Sequence, residues 1–151
     1  TGIPKGVEVT HRNLASSMHA RMQYYPEPVG RLLLTFSFAF DGSVTGIFWT
    51  LLRGGCLVIP EEAEQRDPRA LVRLIARHAV THVVWVPSLY DAVLGEAADH
   101  ETGSLLVVVC AGERLPVELV RRHYRCVPNA TLYNEYGPTE GGLEHGVSGS
   151  V

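Results

Sequence analysis

The chain has 151 residues, 46% of them hydrophobic and 19% charged, with a formal net charge of −3 at pH 7. This is enough material for one domain with a buried core, and too apolar for a disordered segment. The charge balance gives no basic face for nucleic acid, and apolar runs such as Leu105 to Ala111 have strand length rather than membrane-spanning length. Three widely spaced cysteines (Cys56, Cys110 and Cys126) read as reduced core thiols, which predicts a cytoplasmic setting. No charged and then apolar leader is visible. A chain that opens at Thr1 inside a glycine loop, rather than at an initiator methionine, reads as a fragment.

In chain order, Gly6 to Val9 predicts a strand, and Thr10 caps a helix carrying Ala15, Met18 and Met22. Pro26, Pro28 and Gly30 interrupt it. Arg31 to Phe36 predicts an apolar strand, and Asp41 to Leu52 a helix stopped by Gly54-Gly55. Cys56 to Ile59 is the next strand, and Glu61, Glu62 and Glu64 form a solvated acidic turn. Asp67-Pro68 starts a helix with a capping carboxylate and Pro in the first turn, and Leu71, Leu74, Ile75 and His78 share one face. Val83 to Val86 predicts a strand, Ser88 to Ala97 a helix, Leu105 to Cys110 a strand, Pro116 the start of a helix, and Ala130 to Tyr133 the last strand. This alternation predicts an α/β fold, a mostly parallel sheet flanked by helices on both faces. His78 and His82 are spaced for a shared metal, but Ala79-Val80-Thr81 between them reads as a helix-to-strand junction.

Ligands of such sheets bind beyond the carboxyl ends of the strands. Four strings fall there: Phe40-Asp41, Pro87, Ala111-Gly112-Glu113 and Asn134 to Glu140. The last of these reads Asn134-Glu135-Tyr136-Gly137-Pro138-Thr139-Glu140 and supplies a carboxamide, a ring, a turn, a hydroxyl and a carboxylate. Those groups suit a purine, a phosphate and a hard cation. Thr1-Gly2-Ile3-Pro4-Lys5-Gly6 suits phosphate oxygens on backbone N–H groups but lacks the Walker order, and it also reads as a surface turn. Asp41 reads either as a helix cap or as a partner for a cation, since a carboxylate in an apolar pocket is costly without one.

Together these strings resemble the adenylate-forming, AMP-dependent synthetase and ligase superfamily, and within it the adenylation domains of nonribosomal peptide synthetases. The resemblance covers nearly the whole chain and makes residues 1–151 a partial adenylation domain, truncated at both ends and cut from the large N-terminal domain of such an enzyme. It implies ATP and Mg²⁺ as cofactors, with a phosphopantetheine carrier domain as partner. Thr1, Gly2, Lys5 and Gly6 then contact phosphate, and Gly112, Glu113, Asn134, Tyr136 and Gly137 surround the adenine. Thr139 contacts the α-phosphate and Glu140 holds the metal. Asp41 receives the substrate α-ammonium, a feature that acyl-CoA synthetases of the superfamily generally lack. The family's ribose-binding Asp, hinge and catalytic Lys lie outside this chain, which predicts an inactive fragment. After Glu140 the run Gly141-Gly142-Leu143-Glu144 departs from the family's small and apolar residues.

By the same resemblance the amino-acid pocket is lined by Phe40, Asp41, Gly42, Thr45, Trp85, Val109, Ala111, Glu135, Leu143 and Glu144. Gly42 and Ala111 leave room for a long side chain, Trp85 and Val109 give apolar walls, and Thr45 and Glu135 offer hydrogen bonds. A tyrosine-like substrate fits that set, and a basic substrate paired with Glu135 or Glu144 is the alternative. Two other functions compete: an acyl- or aryl-CoA synthetase-type ligase, and a non-catalytic nucleotide-binding module. An acid without an amino group would leave Asp41 unpaired, and a module would bind ATP without turnover.

Overall fold

Short β-branched runs separated by helices build one sheet, seen in a computed structural model that describes residues 6–98, 100–137 and 148–150, the last three as backbone only. The strands are β1 (Arg31–Leu33), β2 (Cys56–Val58), β3 (His82–Trp85), β4 (Val107–Ala111), β5 (Thr131–Glu135) and β6 (Ser148–Ser150). Their order is β2-β1-β3-β4-β5-β6, parallel except for the antiparallel β5–β6 pair. The helices are α1 (His11–Tyr24), α2 (Asp41–Leu52), α3 (Pro68–His78), α4 (Pro87–Glu96) and α5 (Val117–Cys126). No described helix is long and apolar enough to cross a membrane.

Local chemistry sets the helix ends. Thr10 accepts the Asn13 N–H at 3.2 Å while Asn13 Oδ1 accepts the Thr10 N–H at 3.1 Å, a reciprocal cap for α1. Asp67 accepts the Arg69 N–H at 3.0 Å, with Pro68 in the first turn of α3. That helix ends on Ala79 at φ 47°, ψ 53°, the left-handed cap that turns the chain into β3. Two expectations fail. Residues 6–10 form no strand and are exposed, because alternation in Val7 and Val9 meets no sheet edge. The strand expected over 31–36 stops at Leu33, where the chain turns toward α2.

Side chains alternate across the sheet. Leu33, Val83, Trp85, Val108, Cys110 and Leu132 pack with α3, α4 and α5, whereas Leu32, Val84, Val107, Val109 and Tyr133 pack with Met18, Tyr25 and Trp49 of the α1–α2 side. Two histidines are buried among them. His123 Nε2 donates to the Ala130 carbonyl at 2.8 Å, so its Nδ1 accepts from the Tyr90 hydroxyl. His82 lies edge-on to Trp49, with ring centroids 5.2 Å apart, and burial pulls its pKa down to about 4.

The unfolded chain protonates His82 near pH 6.5, so stability contributed by the neutral ring is present above that pH and is lost as pH falls toward 4. Burial also lowers the His123 pKa, with the same sign. Denaturation midpoints should therefore drop between pH 6.5 and 4.5. A His82→Gln variant should lose about 2 kcal/mol less over that window; equal losses would assign the acid sensitivity elsewhere.

Candidate functional site

The path of the chain places a crevice at the carboxyl ends of β1 and β3. From β1 it crosses by α2 to β2 on one side, then returns past β1 by α3 to β3 on the other. Strand order reverses there, which is where open α/β sheets hold ligands. A cavity of about 360 Å³ occupies this position, walled by Phe36, the start of α2, Val84, Val86, the end of β4 and the end of β5.

Six of the expected pocket residues are brought together: Phe40, Asp41, Gly42, Thr45, Ala111 and Glu135 all line the cavity, as does Gly137. Asp41 is the first residue of α2, and Phe40 is the N-cap. Asp41 Oδ1 accepts the Gly42 N–H at 2.8 Å. A carboxylate there faces the positive end of the helix. Asp41 enters no ion pair among the described residues. The space over Gly42 is closed by a neighbour: a Cβ at that position would stand 3.2 Å from the Phe36 ring. Thr45 is buried on the same face of α2.

Trp85 is not on the pocket wall. Period-two alternation turns it to the α3–α5 side, where it is fully buried, and Val84 and Val86 line the cavity instead. Val109 is buried in the α1–α2 core with Val84 and is not among the lining residues.

Glu135 lines the cavity but is already engaged. Arg21 Nη2 lies 2.8 Å from each of its carboxylate oxygens, and the Tyr25 hydroxyl donates to Oε1. Its carboxylate is thus not an unoccupied group awaiting a substrate, contrary to expectation. Neither Arg21 nor Tyr25 carries a signal in the sequence, since 114 and 110 residues separate them from Glu135.

The adenine-side residues divide similarly. Gly112 has φ +83°, a conformation that glycine adopts without strain, and it sits on the cavity rim. Tyr136 presents its ring to solvent at 75% exposure, and Asn134 is exposed at the end of β5. Glu113 has another task. Its carboxylate accepts the Ser88 N–H and hydroxyl, both at 3.0 Å, at the start of α4, whose own N-cap Val86 offers no side-chain acceptor. Gly6 is exposed. Thr1, Gly2, Lys5, Thr139, Glu140, Leu143 and Glu144 lie outside the described residues. His78 ends α3 while His82 is buried in β3, and no group of three or more metal-ligating side chains occurs among the described residues.

A mostly parallel sheet with its cavity at the reversal of strand order has the layout in which open α/β proteins bind small ligands. Comparison with known proteins narrows the class: residues 1–146 match the family described as AMP-binding enzyme, and the chain belongs to it. It is 40% identical over 152 residues to Tyrocidine synthase 3 of Brevibacillus parabrevis, covering 100% of this chain and 2% of that protein. It is 39% identical over 141 residues to Gramicidin S synthase 2 of Brevibacillus brevis, covering 93% of this chain and 3% of that protein. The crystal structure of the nonribosomal peptide synthetase FmoA3 superposes with a TM-score of 0.92 at 28% identity, covering 100% of this chain and 16% of that one. The Vibrio cholerae adenylation domain AlmE, in complex with glycyl-adenosine-5'-phosphate, gives a TM-score of 0.82 at 27% identity, covering 93% and 26%. The chain therefore spans a small part of each relative.

If the Glu113 carboxylate acts as the cap of α4, Glu113→Ala should cost about 1 kcal/mol in urea denaturation. An unchanged midpoint would leave that carboxylate available for a ligand instead.

Proposed function

We propose that the full-length protein containing this chain activates an amino acid with ATP, forming an aminoacyl-adenylate for transfer to the phosphopantetheine thiol of a carrier domain in peptide synthesis. The observation that carries this reading is Asp41, a carboxylate without an ion-pair partner among the described residues, at the rim of a cavity with Phe36, Val84 and Val86 in its walls. Such a group favours a substrate that brings its own cation, and an acid lacking an amino group would leave it unpaired. Family membership and relatives that are peptide synthetases support the same reading.

ATP, when bound, supplies the α-phosphorus that the substrate carboxylate attacks, with pyrophosphate leaving. The described residues fit its base: an exposed Tyr136 ring for stacking and a Gly112 backbone that carries no side chain to block approach. The chain's own contribution is to hold the reactants in line and to neutralise charge, rather than to supply a nucleophile. Asp41 fixes the ammonium, which orients the carboxylate. Thr139 is assigned to the α-phosphate and Glu140 to Mg²⁺ by their place in the Asn134–Glu140 string. Thr1, Gly2, Lys5 and Gly6 are assigned to phosphate on the same basis.

For the amino acid we keep a tyrosine-like side chain, on revised grounds. Val84 and Val86 replace Trp85 as apolar wall, and the engagement of Glu135 with Arg21 weighs against a basic substrate. Pyrophosphate exchange across a panel of amino, fatty and aryl acids tests the whole reading. Tyrosine and phenylalanine should exceed ornithine, lysine and arginine, and preference for a plain acid would overturn it.

Two substitutions probe the assigned roles in the full-length protein. Asp41→Ala should sharply lower amino-acid-dependent exchange while ATP binding by calorimetry stays within about twofold, because only the charge partner of the substrate ammonium is removed. Parallel loss of ATP affinity would make Asp41 a structural element of α2. Glu140→Gln should slow adenylation by about 10²-fold, roughly 2.7 kcal/mol; wild-type rates would remove the metal assignment.

A further inference from the structure

We infer that Arg21, a residue of α1 that does not line the cavity, sets which side-chain charge the pocket accepts by neutralising Glu135 from behind. This rests on the amino-acid reading above and deepens it.

The arrangement is unusual for a surface-helix arginine. Arg21 is 4% exposed and Glu135 6%, so the pair lies in the core between α1 and the end of β5. Nη2 faces both carboxylate oxygens, whereas Nε and Nη1 have no hydrogen-bond partner among the described residues. The guanidinium carbon sits instead 5.0 Å from the ring centroids of both Tyr25 and Trp49. Aromatic faces stabilise a cation without consuming its donors. Packing against the two rings thereby holds the cation beside Glu135, with 4% of the residue exposed.

The consequence is a charge count. Around the cavity the described residues place Asp41 and Glu135 as carboxylates and Arg21 as a cation, which leaves one net negative charge, on the Asp41 side. One substrate ammonium satisfies it. A second ammonium at the side-chain end would meet a carboxylate whose charge is already offset, with Arg21 directly behind it. A carboxylate at that end would face Glu135 itself. The Glu135 wall of the pocket therefore selects neutral side chains, by excluding both signs of charge rather than by binding one group. Arg21 is a positioning residue in this account, since it touches Glu135 and not the substrate.

Breaking the pair from either side should shift selectivity in opposite directions. In the full-length protein, Arg21→Met removes the cation beside Glu135, and the ratio of lysine or ornithine to tyrosine in kcat/KM should rise by about tenfold or more. Glu135→Gln leaves Arg21 uncompensated, and the ratio of glutamate or aspartate to tyrosine should rise instead. The double variant should return toward neutral preference. Binding of the same amino acids by calorimetry gives the ratio independently of turnover. If binding shifts as described while no variant or wild type supports pyrophosphate exchange, the activation reading fails and the role of Arg21 stands. If all substrates lose affinity or turnover by a common factor in both single variants, the pair is only structural and the inference is overturned. Arg21→Lys, which keeps the charge, should restore wild-type ratios if charge is the operative property. Ratios like those of Arg21→Met would overturn the inference as well.

Discussion

β1 has parallel neighbours on both edges, and the chain reaches them by opposite routes. α2 leads to β2 along one face of the sheet, and α3 leads to β3 along the other. The segments that follow β1 and β3 consequently part, and the cavity lies between them. Every feature of the site is placed by this divergence: Asp41 because α2 begins there, Val84 and Val86 because β3 ends there, Gly112 and Gly137 because β4 and β5 end in register with it. The two core clusters are the two faces of the same strands, so the cavity is supported by packing that it does not itself contain.

Charge is distributed sparingly over that frame. One carboxylate stands at a helix start, where the backbone dipole favours it, and the other is buried with a cation and a phenol donating to it. A buried ion pair contributes little net stability against an apolar alternative of the same volume. The pair stands among Tyr25, Trp49 and Tyr133 of an otherwise hydrophobic cluster, and its effect on the cavity is to offset the charge of a carboxylate in the wall.

The sequence is most legible where the signals are local. Asp67-Pro68 starts α3, Asp41 to Leu52 is helical throughout, and the mostly parallel sheet follows from the alternation of strands and helices. Trp85 is misplaced by sequence reasoning because Val83 to Val86 is apolar at every position. A strand buried on both faces gives no alternation from which to read direction, so resemblance alone puts the ring one residue out of phase. β6 escapes notice because Ser148-Gly149-Ser150 has neither length nor β-branched residues, and its partner strand supplies the reason for its existence. The pairings of Glu113 with Ser88 and of Arg21 with Glu135 are contacts between distant segments, and nothing in residue order announces them.

The clasp between Glu113 and Ser88 makes the cavity mechanically uneven. On one side, the loop after β4 is tied to the first turn of the helix after β3, and both strands are bonded to neighbours on each edge. On the opposite side stands the first turn of α2, capped by a Phe40 whose side chain makes no bond to the helix and is 64% exposed. The two sides are thus held by bonds of different reach: the strand side by a link between separate segments, and the helix start by bonds within residues 37–43 alone. Redesign of the cavity from residues 40–42 accordingly touches fewer distant contacts than redesign from the strand side.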